Sequence, residues 1–363
     1  MPLPVTRLLL DEADSEPGRL LQRLIEVCDA VPAGERLSLA FYYLRNERLC
    51  RALAAARARG VRVRVLTSGS TYLRGANVAA LERLCTEGFG DAELRQRHPA
   101  SSHRRRMHLK LLLASRAGDE RDVVLFGTYN PSGNDRPEPE VSTIIGDQEH
   151  GYNVLIEASG HAPLHDFLER YYIGLFDSSD PDAPRHLRRT RLTRDFEEPG
   201  LRVHLCPGRP NPFLEHLRDL ERSDVPARLR IAVSHISEAR TIARLRRLAR
   251  AGHEVHVISH DSERRFPKRV EEKLRRSGVL VRRYVHPRRY PMHCKFILSE
   301  SRDTPGAGQQ LFVGSMNLNR KSYYRNDDLL VCLRDHPLYT DFDALWGRLD
   351  AAIEATTAPA PPS

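Results

Sequence analysis

The sequence predicts an α/β protein built from two similar lobes, and three observations predict it. Strand and helix patterns alternate through both halves of the 363 residues. The order of elements in the second half repeats that of the first. One polar motif occurs twice in corresponding places: His108-Leu-Lys110 followed by Gly127-Thr-Tyr-Asn130, and His293-Cys-Lys295 followed by Gly314-Ser-Met-Asn317.

In chain order, residues 16–30 have helical periodicity, with Leu20, Leu21, Leu24, Ile25 and Cys28 on one side. Residues 37–43 read as a buried strand, 47–59 as an Ala/Arg-rich helix stopped by Gly60, and 61–66 as an alternating strand. A helix over 77–87 follows, then the His108 strand, a strand over 123–128 and a further strand over 141–146. Residues 161–176 form a helix with Phe167, Tyr171 and Tyr172 clustered on it. The polar, Pro- and Arg-rich residues 177–200 read as a linker between lobes 1–176 and 201–354. In the second lobe, strands are expected over 201–205, 229–234, 254–259, 279–285 and 329–333, besides those carrying His293 and Gly314. Helices are expected over 213–221, 238–251, 267–276 and 337–353. Residues 355–363 are Ala/Thr/Pro/Ser-rich and are expected to be a disordered tail.

The length allows two domains with real cores. A formal net charge of +9 favours an anionic partner: nucleic acid, an anionic membrane surface or a phosphorylated small molecule. Six scattered cysteines form no Cys-x-x-Cys pair, which disfavours a zinc ribbon or redox motif and fits a reducing compartment. No secretory leader or membrane-spanning run is expected. The expectation is therefore a cytoplasmic monomer whose contact with a membrane would be peripheral.

In a strand, residues two apart share a face, so His293 and Lys295 are expected on one face and Cys294, small and buried, on the other. Two histidines facing one phosphate can divide the work of nucleophile and acid/base, splitting one hard displacement into two. Lys110, Lys295, Asn130 and Asn317 would hold the phosphate oxygens where charge concentrates. The lysines supply positive charge, so no metal or other cofactor is expected. His253, His256 and His260 lack an acidic ligand set and read as structural.

The doubled motif resembles that of the phospholipase D superfamily, His-x-Lys-x4-Asp followed by Gly-Ser-x-Asn, over nearly the whole chain. The resemblance implies two α/β/α sandwich lobes related by a pseudo-twofold, with one active site between them. It implies His108 as nucleophile and His293 as acid/base. It also implies an acidic side chain supporting the opposite histidine, for which Glu140 and Asp328 are the nearest candidates, with Ser315 beside them. Ser115 and Glu300 replace the usual aspartates, and Thr128 replaces the serine of the first copy.

The run from Gly314 to Asp328 resembles cardiolipin synthase-like and phosphatidyltransferase-like members, which implies hydrolysis or exchange of a phospholipid headgroup at a membrane surface. A nuclease of the same superfamily is the alternative: His103 to Arg106 and Arg288-Arg289 precede the two motifs, where they could track a phosphate backbone. Few aromatics flank them, which disfavours base stacking. A non-catalytic phosphate- or nucleic-acid-binding module is the third reading.

Overall fold

Each half of the chain builds one twisted sheet, and the two sheets repeat each other strand for strand. The computed structural model describes residues 6–13, 15, 18–72, 75–98, 105–118, 121–133, 150–178, 195–208 and 210–357. The first lobe contains β1 (Thr6–Asp11), α1 (Arg19–Ala30), β2 (Arg36–Phe41), α2 (Glu47–Ala58), β3 (Arg62–Ser68) and α3 (Val78–Thr86). It continues with β4 (Leu94–Arg97), β5 (Lys110–Ala117), β6 (Arg121–Gly127), β7 (Asn153–Ser159) and α4 (Ala162–Asp177). The second lobe contains β8 (Asp195–Glu198), β9 (Leu201–Cys206), α5 (Pro212–Leu220), β10 (Ala227–Val233), α6 (Ala239–Arg250), β11 (Glu254–His260) and α7 (Lys268–Arg275). It ends with β12 (Leu280–Tyr284), β13 (Lys295–Ser301), β14 (Gln310–Gly314), the short α8 (Arg320–Tyr324), β15 (Asp328–Arg334) and α9 (Leu338–Thr357).

The sheet orders are β1-β7-β6-β5-β2-β3-β4 and β12-β11-β10-β13-β14-β15-β9-β8. Apart from β8, the second is the first read from the other edge. In each, the central strand carrying the lysine runs antiparallel to both neighbours: Phe41 pairs with Lys110, and Val233 with Lys295. The duplicated α/β architecture inferred from the sequence is thus the one observed.

The near-continuous apolar runs reflect burial on both faces. On β5, Leu111 and Leu113 enter a central core shared by the lobes, whereas Leu112 and Ala114 face an outer core beneath α1, α2 and α3. The second lobe has its own outer core, with Phe213, Ile242, Leu245 and Val270 on its helices. Helices α4 and α9 contribute Phe167, Tyr171, Phe342 and Trp346 to the central core. Phe342 packs on Phe296 of β13 at 5.0 Å between ring centroids. Burying such a side chain contributes roughly 1.5–3 kcal/mol, so Phe342→Ala would loosen the layer that joins the lobes.

Several elements differ from the sequence expectations. Strands β1, β4 and β7 were not expected. Residues 141–146 lie outside the described residues, and the strand that pairs with β6 is β7, downstream of them. β8 falls in the expected linker because Phe196 can pair with Val203 and cover the edge of β9. Helix α9 runs to Thr357, into the segment read as a tail. No helix among the described residues is long and apolar enough to cross a membrane.

Candidate active site

His108 and His293 lie just ahead of β5 and β13, not within them. There the chain leaves its own sheet and pairs with the other lobe. Met107 bridges Asp327 in parallel, and the His108 N–H donates to the Asp327 carbonyl at 2.8 Å. In the second copy Met292 bridges Tyr152, and the His293 N–H donates to the Tyr152 carbonyl at 3.0 Å. Each exchange sets the first residue of a strand in one lobe against the histidine of the other. Asp328 Oδ1 lies 2.8 Å from His108 Nδ1, and Asn153 Oδ1 lies 3.0 Å from His293 Nδ1. Both oxygens accept, so Nδ1–H donates on each ring and Nε2 is left for chemistry.

The glycines of the second motif make this possible. A Cβ on Gly127 would fall 2.2 Å from the Val154 carbonyl oxygen, and one on Gly314 would fall 2.2 Å from that of Leu329. Only glycine permits this approach, which seats the next hydroxyl under the brace. Ser315 donates to Asp328 Oδ1 at 2.7 Å and accepts from the Leu329 N–H at 3.0 Å. Thr128 accepts from the Val154 N–H at 2.9 Å, with its hydroxyl 3.5 Å from Asn153 Oδ1. Next to this pair, the fully buried Asp327 accepts from Arg97 at 2.6 Å and lies 2.9 Å from His98 Nε2, tying the lobes together again.

Both histidines open onto one cavity of about 90 Å³. Asn130 and Asn317 also line it. Asn130 Oδ1 accepts from the Tyr43 N–H, and Asn317 Oδ1 from Ser234. Tyr42, Tyr43 and Tyr72 give the first lobe's wall an aromatic character. His235, Arg264, Arg265 and Lys321 make the second lobe's wall cationic, and Arg106 joins them. Among the described residues no aspartate or glutamate lines the cavity.

Lys110 and Lys295 are buried behind this wall rather than on it. Each ammonium donates to the carbonyl of its own histidine, at 2.7 Å in both copies. They are therefore not placed as direct ligands for phosphate oxygens; they act on the cavity as a positive field. Burial, and then the charge of Lys110, lowers His108 to about 4 against the pull of Asp328. Burial, reinforced by Lys295 and Lys110, holds His293 well below its ordinary value. Burial takes Lys110 down to about 7, and burial together with Lys110 takes Lys295 well down. Both imidazoles are therefore neutral at neutral pH.

The structure thus brings His108, His293, Asn130 and Asn317 to one cavity, with Lys110, Lys295, Ser315 and Asp328 directly behind. Glu140 lies outside the described residues, and the place it was expected to fill beside His293 belongs to Asn153. Ser115 and Glu300 do not line the cavity; each lies five residues along its strand from the lysine, about 16 Å away. Ser115 accepts from the Arg36 N–H and donates to Glu35, while Glu300 pairs with Arg230 at 3.0 Å. His103 lies outside the described residues. Arg288 and Arg289 do not line the cavity, and Arg288 stacks on Tyr290 instead. Cys294, just ahead of β13, is buried and donates to the Tyr152 carbonyl.

His253, His256 and His260 form no ligand group among the described residues; the one such group is His165, Asp166 and Glu169. There Glu169 is already held by Arg36 at 2.6 and 2.8 Å.

A family model described as the cardiolipin synthase, PLD-like domain matches residues 30–149 and 218–349. The chain belongs to this phospholipase D family. The two matched segments fall one in each lobe, each containing a His-x-Lys motif. Among solved structures, phosphatidylserine synthase from Haemophilus influenzae Rd KW20 is similar at 14% identity, with a TM-score of 0.62 over 96% of this chain and 86% of that one. Polyphosphate kinase from Porphyromonas gingivalis is similar at 15% identity and a TM-score of 0.62, over 95% of this chain. This chain spans 50% of that kinase's length. Yeast tyrosyl-DNA phosphodiesterase follows at 13% identity and a TM-score of 0.50, over 91% of this chain and 89% of that one. These likenesses, at 13–15% identity, establish the shared fold. The sequence has no significant match among curated proteins.

Asn153 and the wall residues Tyr42, Tyr43, Tyr72, His235, Arg264 and Arg265 escaped the sequence reading. A signal for Asn153 existed. Tyr152-Asn-Val-Leu-Ile-Glu stands to the first motif as Asp327-Asp-Leu-Leu-Val-Cys stands to the second. A longer loop in the first copy hides the correspondence. The wall residues sit in loops after β2, β3, β10 and β11 and carry no motif of their own.

Proposed function

We propose that this protein cleaves or exchanges a phosphodiester through a covalent phosphohistidine on His108, with a phospholipid headgroup as substrate. The observation that carries the reading is a pair of histidines on one cavity, each braced at Nδ1 by the other lobe and free at Nε2. The unequal braces support the division of labour. When neutral His108 attacks phosphorus, its ring becomes a phosphorylated imidazolium, and the carboxylate of Asp328 stabilises that positive charge. Asn153 orients His293 without adding a charge, so protonated His293 stays a good acid.

In the first step the Nε2 lone pair of His108 forms the N–P bond. The P–O bond to the leaving group breaks, and that oxygen takes the proton from His293 Nε2. The incoming phosphodiester supplies the negative charge that lets His293 hold this proton beside two lysines. In the second step neutral His293 removes a proton from water or an alcohol, whose oxygen attacks phosphorus while the P–N bond breaks. Lys110 and Lys295 stabilise the charge on phosphorus from behind, and Asn130 and Asn317 offer amide groups to its oxygens.

The lipid substrate is supported by the match to the cardiolipin synthase domain and by the fold shared with a phosphatidylserine synthase. Protein mixed with anionic liposomes and ethanol in EDTA is expected to form phosphatidylethanol, detected by mass spectrometry, and His108→Asn is expected to form none. If folded protein makes no lipid product yet cleaves a chromogenic phosphodiester, the lipid assignment fails and a nucleic-acid substrate takes its place.

A further inference from the structure

The cavity holds more positive charge than one phosphodiester needs. A phosphodiester brings a single negative charge, and Lys110 and Lys295 already stand behind it. Yet Arg106, Arg264 and Arg265 also line the cavity, together with Lys321, and among the described residues no carboxylate does. Several arginines elsewhere are held by carboxylates: Arg23 and Arg7 by Glu157, Arg283 by Glu271, Arg230 by Glu300. Arg106, Arg264 and Arg265 have no carboxylate partner among the described residues.

What holds Arg106 and Arg264 is an aromatic ring. The guanidinium of Arg106 lies 3.6 Å from the centroid of Tyr72, and that of Arg264 lies 4.6 Å from it. This arrangement fixes two like charges beside one half-exposed tyrosine at the mouth, linking loops of both lobes. Arg106 Nε is buried without a hydrogen-bond partner. Burial, and next the charge of Arg264, lowers the pKa of Arg265. A cluster of cations with a buried, unmatched N–H is a site awaiting an anion.

We propose that Arg106, Arg264 and Arg265 form a second anion subsite, which binds another phosphoryl group of the substrate next to the scissile phosphate. The inference rests on the proposed reaction at the two histidines and narrows its substrate to phosphodiesters that carry a second phosphate. A small cavity containing both sites places the two phosphates close together. Two sources fit: a diphosphate diester, or a phosphodiester with a nearby terminal phosphomonoester. Planar guanidinium forks match such groups and discriminate against neutral headgroups.

The test compares wild type, Arg264→Gln and Arg265→Gln on three p-nitrophenyl esters. One is bis(p-nitrophenyl) phosphate. The second is a p-nitrophenyl diphosphate diester. The third is a p-nitrophenyl phosphodiester bearing a phosphomonoester. Thermal melts check that each variant folds, and the two single substitutions guard against loss of one. Wild type is expected to favour at least one two-phosphate substrate by about tenfold in kcat/KM, and either substitution to remove most of that advantage. Whichever of the two is favoured identifies the source. Equal rates on all three, or variants that lose the same factor on all three, would overturn the subsite, because the arginines would then serve only the scissile phosphate.

Calorimetry with inorganic pyrophosphate and inorganic phosphate separates this inference from the reaction on which it rests. Even if no ester is turned over, pyrophosphate is expected to bind wild type about tenfold more tightly than phosphate, and Arg264→Gln to lose the difference. Equal binding of the two anions would overturn the subsite, whereas inert esters alone would overturn the catalytic reading.

Discussion

Replacing Asp328 by Asn would make the two histidine braces alike while keeping their shape. Asp328 is fully buried and takes a hydrogen bond from His108 at 2.8 Å and another from Ser315 at 2.7 Å. Asn153 makes the equivalent contact to His293 at 3.0 Å, so an amide fits this geometry. What Asp328→Asn removes is charge. A hydrogen bond to a charged group contributes about 1.5–3 kcal/mol, roughly twice a neutral one. Asn keeps the neutral share, so the charge itself is worth about 0.7–1.5 kcal/mol, and if it is felt mainly by the phosphorylated imidazolium, kcat falls by about 3- to 15-fold. The assay is steady-state release of p-nitrophenol from bis(p-nitrophenyl) phosphate, with a melting curve to show that the fold survives. The matching substitution Asn153→Ala misorients His293 but removes no charge. Because p-nitrophenol leaves without needing a proton, the first step should be spared, and phosphoenzyme should accumulate as hydrolysis slows. If Asp328→Asn costs less than about twofold, or if the roles of the two variants are reversed, the assignment of His108 as nucleophile is wrong.

Further outcomes follow from the same geometry. His108→Asn and His293→Asn should each abolish turnover of a diester with a poor leaving group while the melting temperature holds. Turnover should persist in EDTA, since charge stabilisation comes from lysine and arginine; complete loss on chelation would refute that. The rate profile should fall on the alkaline side: burial takes Lys110 down to about 7, so kcat/KM should drop as pH rises through that value. Linkage gives a companion sign. The depressed Lys110 makes the unfolded chain bind more protons between about 7 and its ordinary 10.5, so this group's contribution to stability rises with pH across that window. Anions favour the protonated site, so phosphate should raise the melting temperature more at pH 6 than at pH 9. Gly314→Ala would force a Cβ into the Leu329 carbonyl and should cost about 1–3 kcal/mol and displace Asp328 from His108, which melting and activity together would detect.

What the sequence revealed followed the range of each interaction. The histidines, lysines and asparagines were legible because each motif is local and occurs twice, at the ends of strands whose periodicity is plain. Asn153 was not, because the brace comes from the other lobe and the preceding loop differs in length between the copies. Residues 141–146 looked like the needed strand and drew attention to Glu140, whereas the strand that pairs with β6 is β7. The place of the lysines, folded back on the His108 and His293 carbonyls, depends on loops that cross between lobes. Arg264 and Arg265 looked like ordinary charges in an Arg-rich chain. Only the fold shows them on one wall of the cavity with His235 and Lys321.

The central claim is a phosphoryl group held covalently by His108. The most direct measurement uses the His293→Asn variant with bis(p-nitrophenyl) phosphate, which can form the intermediate but resolves it slowly. Quenching under alkaline conditions, digestion and mass spectrometry would locate the modification. A burst of p-nitrophenol with the phosphoryl group on the peptide containing His108 is the predicted result. A burst with the group on any other residue, or steady turnover with no labelled peptide, would contradict the account.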